Sequence, residues 1–331
     1  MADFVSRTGP QNTTHAAPPT VPATPPNATA SSSATTGTGV IRCTSLPHSC
    51  EVTHTDLQDA VLLGDYDQLP PLRLGQLIPW SEMTGPGQMT FSAWAEHCPN
   101  MNGEMAYNAL SFVEDTNFMN PSRSSPVNLE VREVPGLNRH HLYRNGHPVV
   151  GVSAVFLEHS QIMTPSTSGL TQKFIRGILH SQEWERFVAW VCMAFGQPAL
   201  HAQLAKDALQ FSTRPRFDSK DDNKKKTKNL FTNTRSPSTR SANSPNRITA
   251  DTFALPTDGY IPVYDARSSP FDFHHDLPNI SSLPHWQGDI PYGSFVVVGF
   301  TLTMYRAKNG NMTLACNIQW AVVVGVPDED L

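Results

Sequence analysis

Histidines and aspartates in the C-terminal third of the chain are the first residues whose types and spacing could do chemistry. Asp272, His274 and Asp276 alternate along a segment with frequent prolines. If that segment is extended, alternate residues point to one side, and two carboxylates with an imidazole could bind a divalent metal ion. The same residues are typical of turns, where Asp accepts hydrogen bonds from nearby backbone N–H groups. The composition favours the turn and leaves the metal site open.

Other catalytic signatures are missing from the sequence. It contains no GxxxxGK[ST] or GxGxxG loop for phosphates, no HExxH motif and no CxxC pair, and the run around Ser153 fails the GxSxG pattern. The sequence therefore favours a non-enzymatic protein without a cofactor. A metal-dependent enzyme that uses the Asp272, His274 and Asp276 cluster is an alternative.

A basic segment at 214–247 carries the most unusual chemistry of the chain. It holds about ten of the 24 Lys and Arg residues and about three carboxylates, whereas the whole chain has a formal charge of −5. The remainder is therefore acidic, at about −12. Such a strip can bind an import receptor, contact phosphates or lie against the protein's own acidic surface.

Two features within the basic segment suggest nuclear import and its regulation. The compact run Lys224, Lys225, Lys226 and Lys228 is of the kind that nuclear import receptors bind. Ser236 and Ser244 each precede a proline, which is typical of sites for proline-directed kinases. Phosphate there would add negative charge beside the lysines and weaken their contacts. A basic segment that only keeps the protein soluble is the third interpretation.

Basic and aromatic residues near the ends of predicted strands indicate contact with nucleic acid. Arg214 and Arg216 begin the basic segment, while Tyr305, Arg306 and Lys308 lie near a predicted hairpin tip. Aromatic rings that stack on bases, combined with cations that bind phosphates, are typical of proteins that bind single strands. Because the rest of the chain is acidic, we expect the basic segment to supply most of the charge.

The elements that must position these residues follow from the apolar pattern. Strands are predicted at 127–134, 149–157, 294–305 and 312–324, with hairpin turns at Asn145-Gly146 and Lys308-Asn309-Gly310. Apolar residues at helical spacing between 170 and 211 predict two or three helices. Near the second turn Thr301, Thr303 and Tyr305 alternate with apolar residues, which predicts a solvent-facing side.

These elements predict an α+β fold, mixed and mostly antiparallel, with a central helical segment. Residues 1–58, rich in Ala, Pro, Thr and Ser, are predicted to be a disordered tail. Residues 59–331 form one predicted domain, which a disordered basic loop at 212–250 interrupts. Five scattered cysteines, no signal peptide and no apolar run long enough for a bilayer predict a reduced intracellular protein that contacts no membrane.

The C-terminal block resembles a group of uncharacterised proteins from mushroom-forming fungi. The resemblance covers YIPVYDARSSPFDF, GSFVVVGFTLTMY and NIQWAVVVG, within 260–326, with further support from 69–80. It implies a fungal intracellular protein and no activity or site residues. Taken together, the sequence predicts a nuclear binding protein whose partners are an import receptor and nucleic acid, and leaves a self-assembling, capsid-like protein as an alternative.

Overall fold

The computed structural model of this chain describes residues 41–42, 51–52, 55–72, 75–79, 90–95, 98–99, 101–166, 170–205, 208–216, 248 and 253–328. All of these belong to one unit, which extends from Thr38 to Leu331. Most of the predicted tail and of the predicted basic loop lies outside the described residues. The same is true of Lys224, Lys225, Lys226, Lys228, Ser236 and Ser244.

Four α-helices, two short 3-10 helices and sixteen strands form the described part of the chain. The α-helices are α1 (Asp59–Asp67), α2 (Phe91–Ala95), α3 (Gly103–Ser111) and α4 (Ser181–Ala194), and the 3-10 helices span Thr55–Leu57 and Leu277–Ser282. The strands are β1 (Ile41–Arg42), β2 (Glu51–Val52), β3 (Gln76–Pro79), β4 (Glu114–Asp115), β5 (Phe118–Met119), β6 (Glu130–Glu133), β7 (Arg139–Arg144), β8 (His147–Pro148), β9 (Val150–Gln161), β10 (Phe174–Ile178), β11 (Ala199–Ala202), β12 (Leu204–Ala205), β13 (Ala208–Ser212), β14 (Val263–Asp265), β15 (Phe295–Arg306) and β16 (Met312–Gly325).

A single mixed sheet of fourteen strands, β3 to β16, organises the described residues, and the predicted α+β fold is confirmed. Its main order is β3-β11-β16-β13-β10-β9-β15-β7-β6, and β15 also pairs with β16. A closed ring of strand pairings therefore runs through β9, β10, β13, β16 and β15. Most of these are antiparallel, whereas β16 pairs in parallel with β11, β13 and β14.

The longest pairing is the predicted hairpin of β15 and β16, which runs from Phe295 opposite Gly325 to Arg306 opposite Met312. Gly310 in its turn has a φ of 88°, a conformation that favours glycine. Gly299 lies opposite Trp320, and a Cβ atom there would lie 2.0 Å from the indole ring. Only glycine leaves room for the Trp320 ring at this position.

The remaining predicted strands are partly confirmed. The Asn145-Gly146 turn joins β7 to β8 with φ values of 49° and 82°, as a type I′ turn requires. The buried strand predicted at 149–157 is the first part of β9, which lies between β10 and β15. The half-buried strand predicted at 127–134 is β6, which is shorter and exposed throughout.

The helices predicted between 170 and 211 are wrong except for α4. Residues Phe174–Ile178 form β10 and Ala208–Ser212 form β13, and the two strands pair with each other. Both segments are short and apolar, so their residues match the helical and the extended spacing equally well. Long-range pairing in the sheet decides in favour of the strand.

Two hydrophobic cores lie on opposite faces of β15. Val296, Val298 and Phe300 belong to the first core, together with side chains of α4. Phe295 and Val297 belong to the second core, together with side chains of α1 and α3. The base of the hairpin is apolar on both faces because each face is buried in a core.

A buried ionic network joins α1 to α4. The Tyr66 hydroxyl donates to Glu183 Oε1 at 2.8 Å, and Arg123 Nε donates to the same oxygen at 3.2 Å. The Arg123 guanidinium lies over the Tyr66 ring, 4.4 Å from its centroid. Glu183 is fully buried and Arg123 is 6% exposed. Burial, reinforced by the Glu183 charge, raises the pKa of Tyr66, which is therefore the proton donor.

No helix in the part of the chain that the structure describes is long and apolar enough to span a bilayer. The longest, α4, has 14 residues, whereas a span requires about 20.

Candidate functional site

A cavity of about 860 Å³ lies beside the turn-proximal half of the β15–β16 hairpin. This volume is within the range of small-molecule sites, roughly 300–1,000 Å³. The described residues that line it come from β7, β11, β13, β15 and β16 and from the segments beside them. They are Val134, Leu137, Arg139, His141, Leu170, Gln172, Ala202, Gln203, Leu209, Gln210, Ser212, Thr213, Arg214, Pro215, Phe253, Ala254, Thr303, Tyr305, Leu314, Ala315, Cys316 and Asn317.

The register of three neighbouring strands brings polar side chains to one wall of this cavity. Thr303 lies opposite both His141 of β7 and Ala315 of β16, and Tyr305 lies opposite Arg139. Since alternate residues of a strand share a face, Arg139 and His141 lie on one side, beside Thr303 and Tyr305. Asn317 Nδ2 extends this row by donating to Thr303 Oγ1 at 2.9 Å.

The prediction that this side of the hairpin faces solvent is wrong for its two threonines. Thr301 is fully buried and Thr303 is 6% exposed. The Phe253 carbonyl accepts hydrogen bonds from Thr301 Oγ1 and, at 3.1 Å, from Gln319 Nε2. The chain that follows the basic segment therefore lies across the polar side of the hairpin.

Phe253 also holds the His141 ring in place. The two rings are stacked, with centroids 3.7 Å apart and planes inclined by 13°. Burial, together with the nearby positive charge of Arg139, lowers the pKa of His141 from 6.5 to about 4. The imidazole is therefore neutral at neutral pH, with one nitrogen that donates and one that accepts.

Three buried side chains of the lining carry polar atoms without a hydrogen-bond partner among the described residues. These atoms are His141 Nδ1, Gln172 Oε1 and Gln210 Nε2, on side chains that are at most 5% exposed. An unpaired polar group in the interior costs about 1–3 kcal/mol. Arg176 Nε donates to Gln210 Oε1 at 2.9 Å. Because arginine can only donate, the free group of Gln210 is its N–H donor.

The described residues that line the cavity carry a positive charge. Arg139 and Arg214 are exposed and line it, and neither pairs with a carboxylate among the described residues. No Asp or Glu is among the described residues of the lining. Guanidinium groups bind phosphate and carboxylate oxygens through paired hydrogen bonds. The arrangement suits a ligand that has an anionic group and a part that both donates and accepts hydrogen bonds.

Two of the five residues predicted to contact nucleic acid, Arg214 and Tyr305, line the cavity together. Arg216 forms a β-bridge with Thr171. Arg306 and Lys308 are exposed beyond the lining, near the turn of the hairpin.

The three residues of the predicted metal cluster lie in a turn. Asp272 Oδ1 accepts hydrogen bonds from Asn108 Nδ2 and from the His274 backbone N–H, both at 2.8 Å. Asp276 Oδ2 accepts from the Asp272 backbone N–H at 3.0 Å. The segment is not extended, so the basis for placing the three side chains on one side is lost. No group of three or more His, Cys, Asp and Glu side chains among the described residues could hold a metal ion.

Sequence reasoning missed His141, Gln172 and Gln210 as members of a binding site. A weak signal was present for the glutamines, because each interrupts or borders a short apolar run, in QKFIRGI and ALQFS. A polar residue within a buried strand requires a partner. His141 carried no such signal, because the residues that cover it, Phe253 and β15, are distant in the sequence.

Comparisons with protein-family models, with curated proteins and with solved structures found no match. The resemblance to a fungal protein group stays a prediction, and the candidate site rests on its own geometry.

Proposed function

We propose that this chain is a non-enzymatic binding protein of the nucleus that contacts single-stranded nucleic acid. The observation that carries the proposal is the position of the cavity at the base of the basic segment. Arg214, where the segment begins, and Phe253, shortly after it ends, both line the cavity. A strand of nucleic acid bound by the segment would therefore pass the cavity mouth.

The division of roles follows from charge. The segment at 214–247 holds about ten of the 24 Lys and Arg residues and has a net positive charge, whereas the rest of the chain is acidic. Since phosphate contacts dominate affinity for nucleic acids, the segment holds the backbone. Tyr305 and the Arg139 and Arg214 guanidinium groups provide a fixed place for a base and a phosphate. Phosphate on Ser236 or Ser244 would weaken the backbone contact.

The test is binding of the full chain to fluorescent single-stranded RNA and DNA, measured by anisotropy over a range of salt concentrations. Replacement of Lys224, Lys225, Lys226 and Lys228 by Ala should weaken binding and reduce the slope of log K against log salt. Each lost phosphate contact changes that slope by about 0.7. Arg267→Ala, which removes an exposed cation that pairs with Asp265, is the control and should leave the slope unchanged. Binding that is unaffected by the four lysine changes would show the charge argument to be wrong.

The nuclear part of the proposal has its own test. The intact chain and the variant with four lysine replacements are each followed as fluorescent fusions in cells. We expect a nuclear signal for the first and a cytoplasmic signal for the second. A cytoplasmic signal for both would contradict nuclear import.

A further inference from the structure

We infer that the cavity holds one unstacked nucleotide, with its phosphate at Arg139 and Arg214 and its base directed towards Gln172, Gln210 and His141. This inference rests on the proposed function, because it names the part of the nucleic acid that the cavity accepts. In the proposed function the basic segment binds the phosphate backbone without regard to sequence. The cavity adds a pocket that recognises a base.

The phosphate end is defined by the two guanidinium groups. Arg139 and Arg214 belong to different parts of the chain, yet both are exposed and line the same cavity. Among the described residues of the lining, neither guanidinium has a carboxylate as a partner. One or two charge-assisted hydrogen bonds from each would hold a phosphate at the mouth and leave the interior for the rest of the nucleotide.

The base end is defined by buried groups whose hydrogen-bonding capacity is unused. Gln210 offers an N–H donor, which its bond from Arg176 fixes in orientation, and Gln172 offers a carbonyl acceptor. His141 is neutral and contributes either a donor or an acceptor. Bases present donors and acceptors side by side on their edges, and glutamine side chains recognise them in this way.

Tyr305 completes the site with a flat surface. It is half-buried, lines the cavity and lies opposite Arg139 in the pairing of β7 with β15. A base that leaves the stack of its strand gains a new stacking partner on such a ring, and this contact contributes about 1–3 kcal/mol. Stacking accepts any base, so selectivity depends on the two glutamines.

The experiment measures binding of free nucleosides, nucleoside monophosphates and inorganic phosphate to the full chain, by isothermal titration calorimetry and by ¹H–¹⁵N chemical shifts. Among the monophosphates of the four bases, we expect one to bind more tightly than the other three. It should bind at least about tenfold more tightly than its nucleoside and than phosphate alone.

Two variants separate the two ends of the site. Arg214→Ala should bring the affinity for the preferred monophosphate down towards that of its nucleoside, and leave the nucleoside unchanged. Gln210→Glu retains the acceptor for Arg176 but replaces the free donor with an acceptor. It should weaken binding of the uncharged nucleoside by about tenfold, the effect of one lost recognition contact.

Arg267→Ala is the control for charge, because Arg267 is exposed and lies outside the lining. It should change none of the mononucleotide affinities. If Gln210→Glu does not fold, as judged by circular dichroism, Gln172→Leu replaces it with the same expected loss for the nucleoside.

The outcomes distinguish this inference from the proposed function. Oligonucleotide binding without any binding of mononucleotides, or with mononucleotide affinities that neither variant changes, would overturn the nucleotide pocket and leave the binding by the basic segment intact. No binding of oligonucleotides at low salt would overturn the proposed function. Binding of mononucleotides in that case would still support the pocket as a site for free nucleotides.

Discussion

Replacement of Glu183 by Gln should destabilise the domain more than any other isosteric change of a charged residue in the described chain. The carboxylate is fully buried and accepts hydrogen bonds from Tyr66 and Arg123. Glutamine retains the shape and one acceptor oxygen, so the Tyr66 bond can persist. The positive charge of Arg123, 6% exposed, is left without its carboxylate.

The loss of stability expected for Glu183→Gln follows from that unpaired charge. Removal of one partner of a buried ion pair costs about 3–5 kcal/mol, a large share of the 5–15 kcal/mol that stabilises a typical domain. Arg123→Met should cost a similar amount, because it leaves the carboxylate unpaired. The double variant removes both charges, so it should lose at least about 2 kcal/mol less than the sum of the two single variants.

Equilibrium unfolding in urea measures these free energies, and the control is an exposed pair of the same types. Glu130 and Arg132 form an ion pair with side chains 54% and 46% exposed. Glu130→Gln should therefore change stability by about 0–1 kcal/mol. If Glu183→Gln falls within about 1 kcal/mol of Glu130→Gln, or if the effects at Glu183 and Arg123 add, then the pair is solvated and the reasoning fails.

Two further predictions concern the sheet and the histidine beneath Phe253. Gly299→Ala should lower stability by about 1–3 kcal/mol or more, because its Cβ would collide with Trp320. Gly64→Ala, an open position in α1, should raise stability by about 0.5–1 kcal/mol, and thermal unfolding compares the two. The pKa of His141 is about 4 in the folded chain and 6.5 in the unfolded chain. Between these pH values the unfolded state therefore binds more protons than the folded state. The contribution of the neutral His141 to folding stability is complete above pH 6.5 and decreases as the pH falls towards 4. His141→Phe keeps a ring against Phe253 and should reduce the loss of stability between pH 7 and 4.5 in urea unfolding; an equal loss in both proteins would contradict the neutral histidine.

Local patterns in the sequence predicted the β15–β16 hairpin, the Asn145-Gly146 turn and the buried part of β9. In each case the deciding residues are neighbours, a turn pair or a run of apolar residues. The strands β10 and β13 were not predicted, because their partners are far along the chain: Phe174 pairs with Ser212, 38 residues away, and Phe211 pairs with Cys316, 105 residues away. Short apolar runs do not show by their periodicity whether they form a helix or a strand, and the distant partners that decide this are not evident from the sequence.

The candidate site was predicted only in part, for the same physical reason. Arg214 and Tyr305 were identified by their chemistry, and the cavity that joins them depends on strand register and on the cover provided by Phe253. The threonines near the hairpin turn showed the alternation of an exposed side. That side is buried because a segment about 50 residues earlier in the chain lies across it, and alternation alone cannot distinguish solvent from a polar interior.

The fixed ends of the basic segment leave room for evolutionary change. The Arg214 backbone N–H donates to the Leu255 carbonyl at 2.8 Å, and Thr257 Oγ1 donates back to the Arg214 carbonyl at 2.6 Å. The chain between Arg214 and Leu255 therefore starts and ends at one hydrogen-bonded junction, whatever its length. The free-energy cost of closing a loop increases by only about 0.6 kcal/mol for each doubling of the loop length. That chain could therefore gain or lose residues with little effect on the stability of the sheet. The number of lysines and of Ser-Pro pairs in that chain can thus change while the cavity beside the junction keeps its shape.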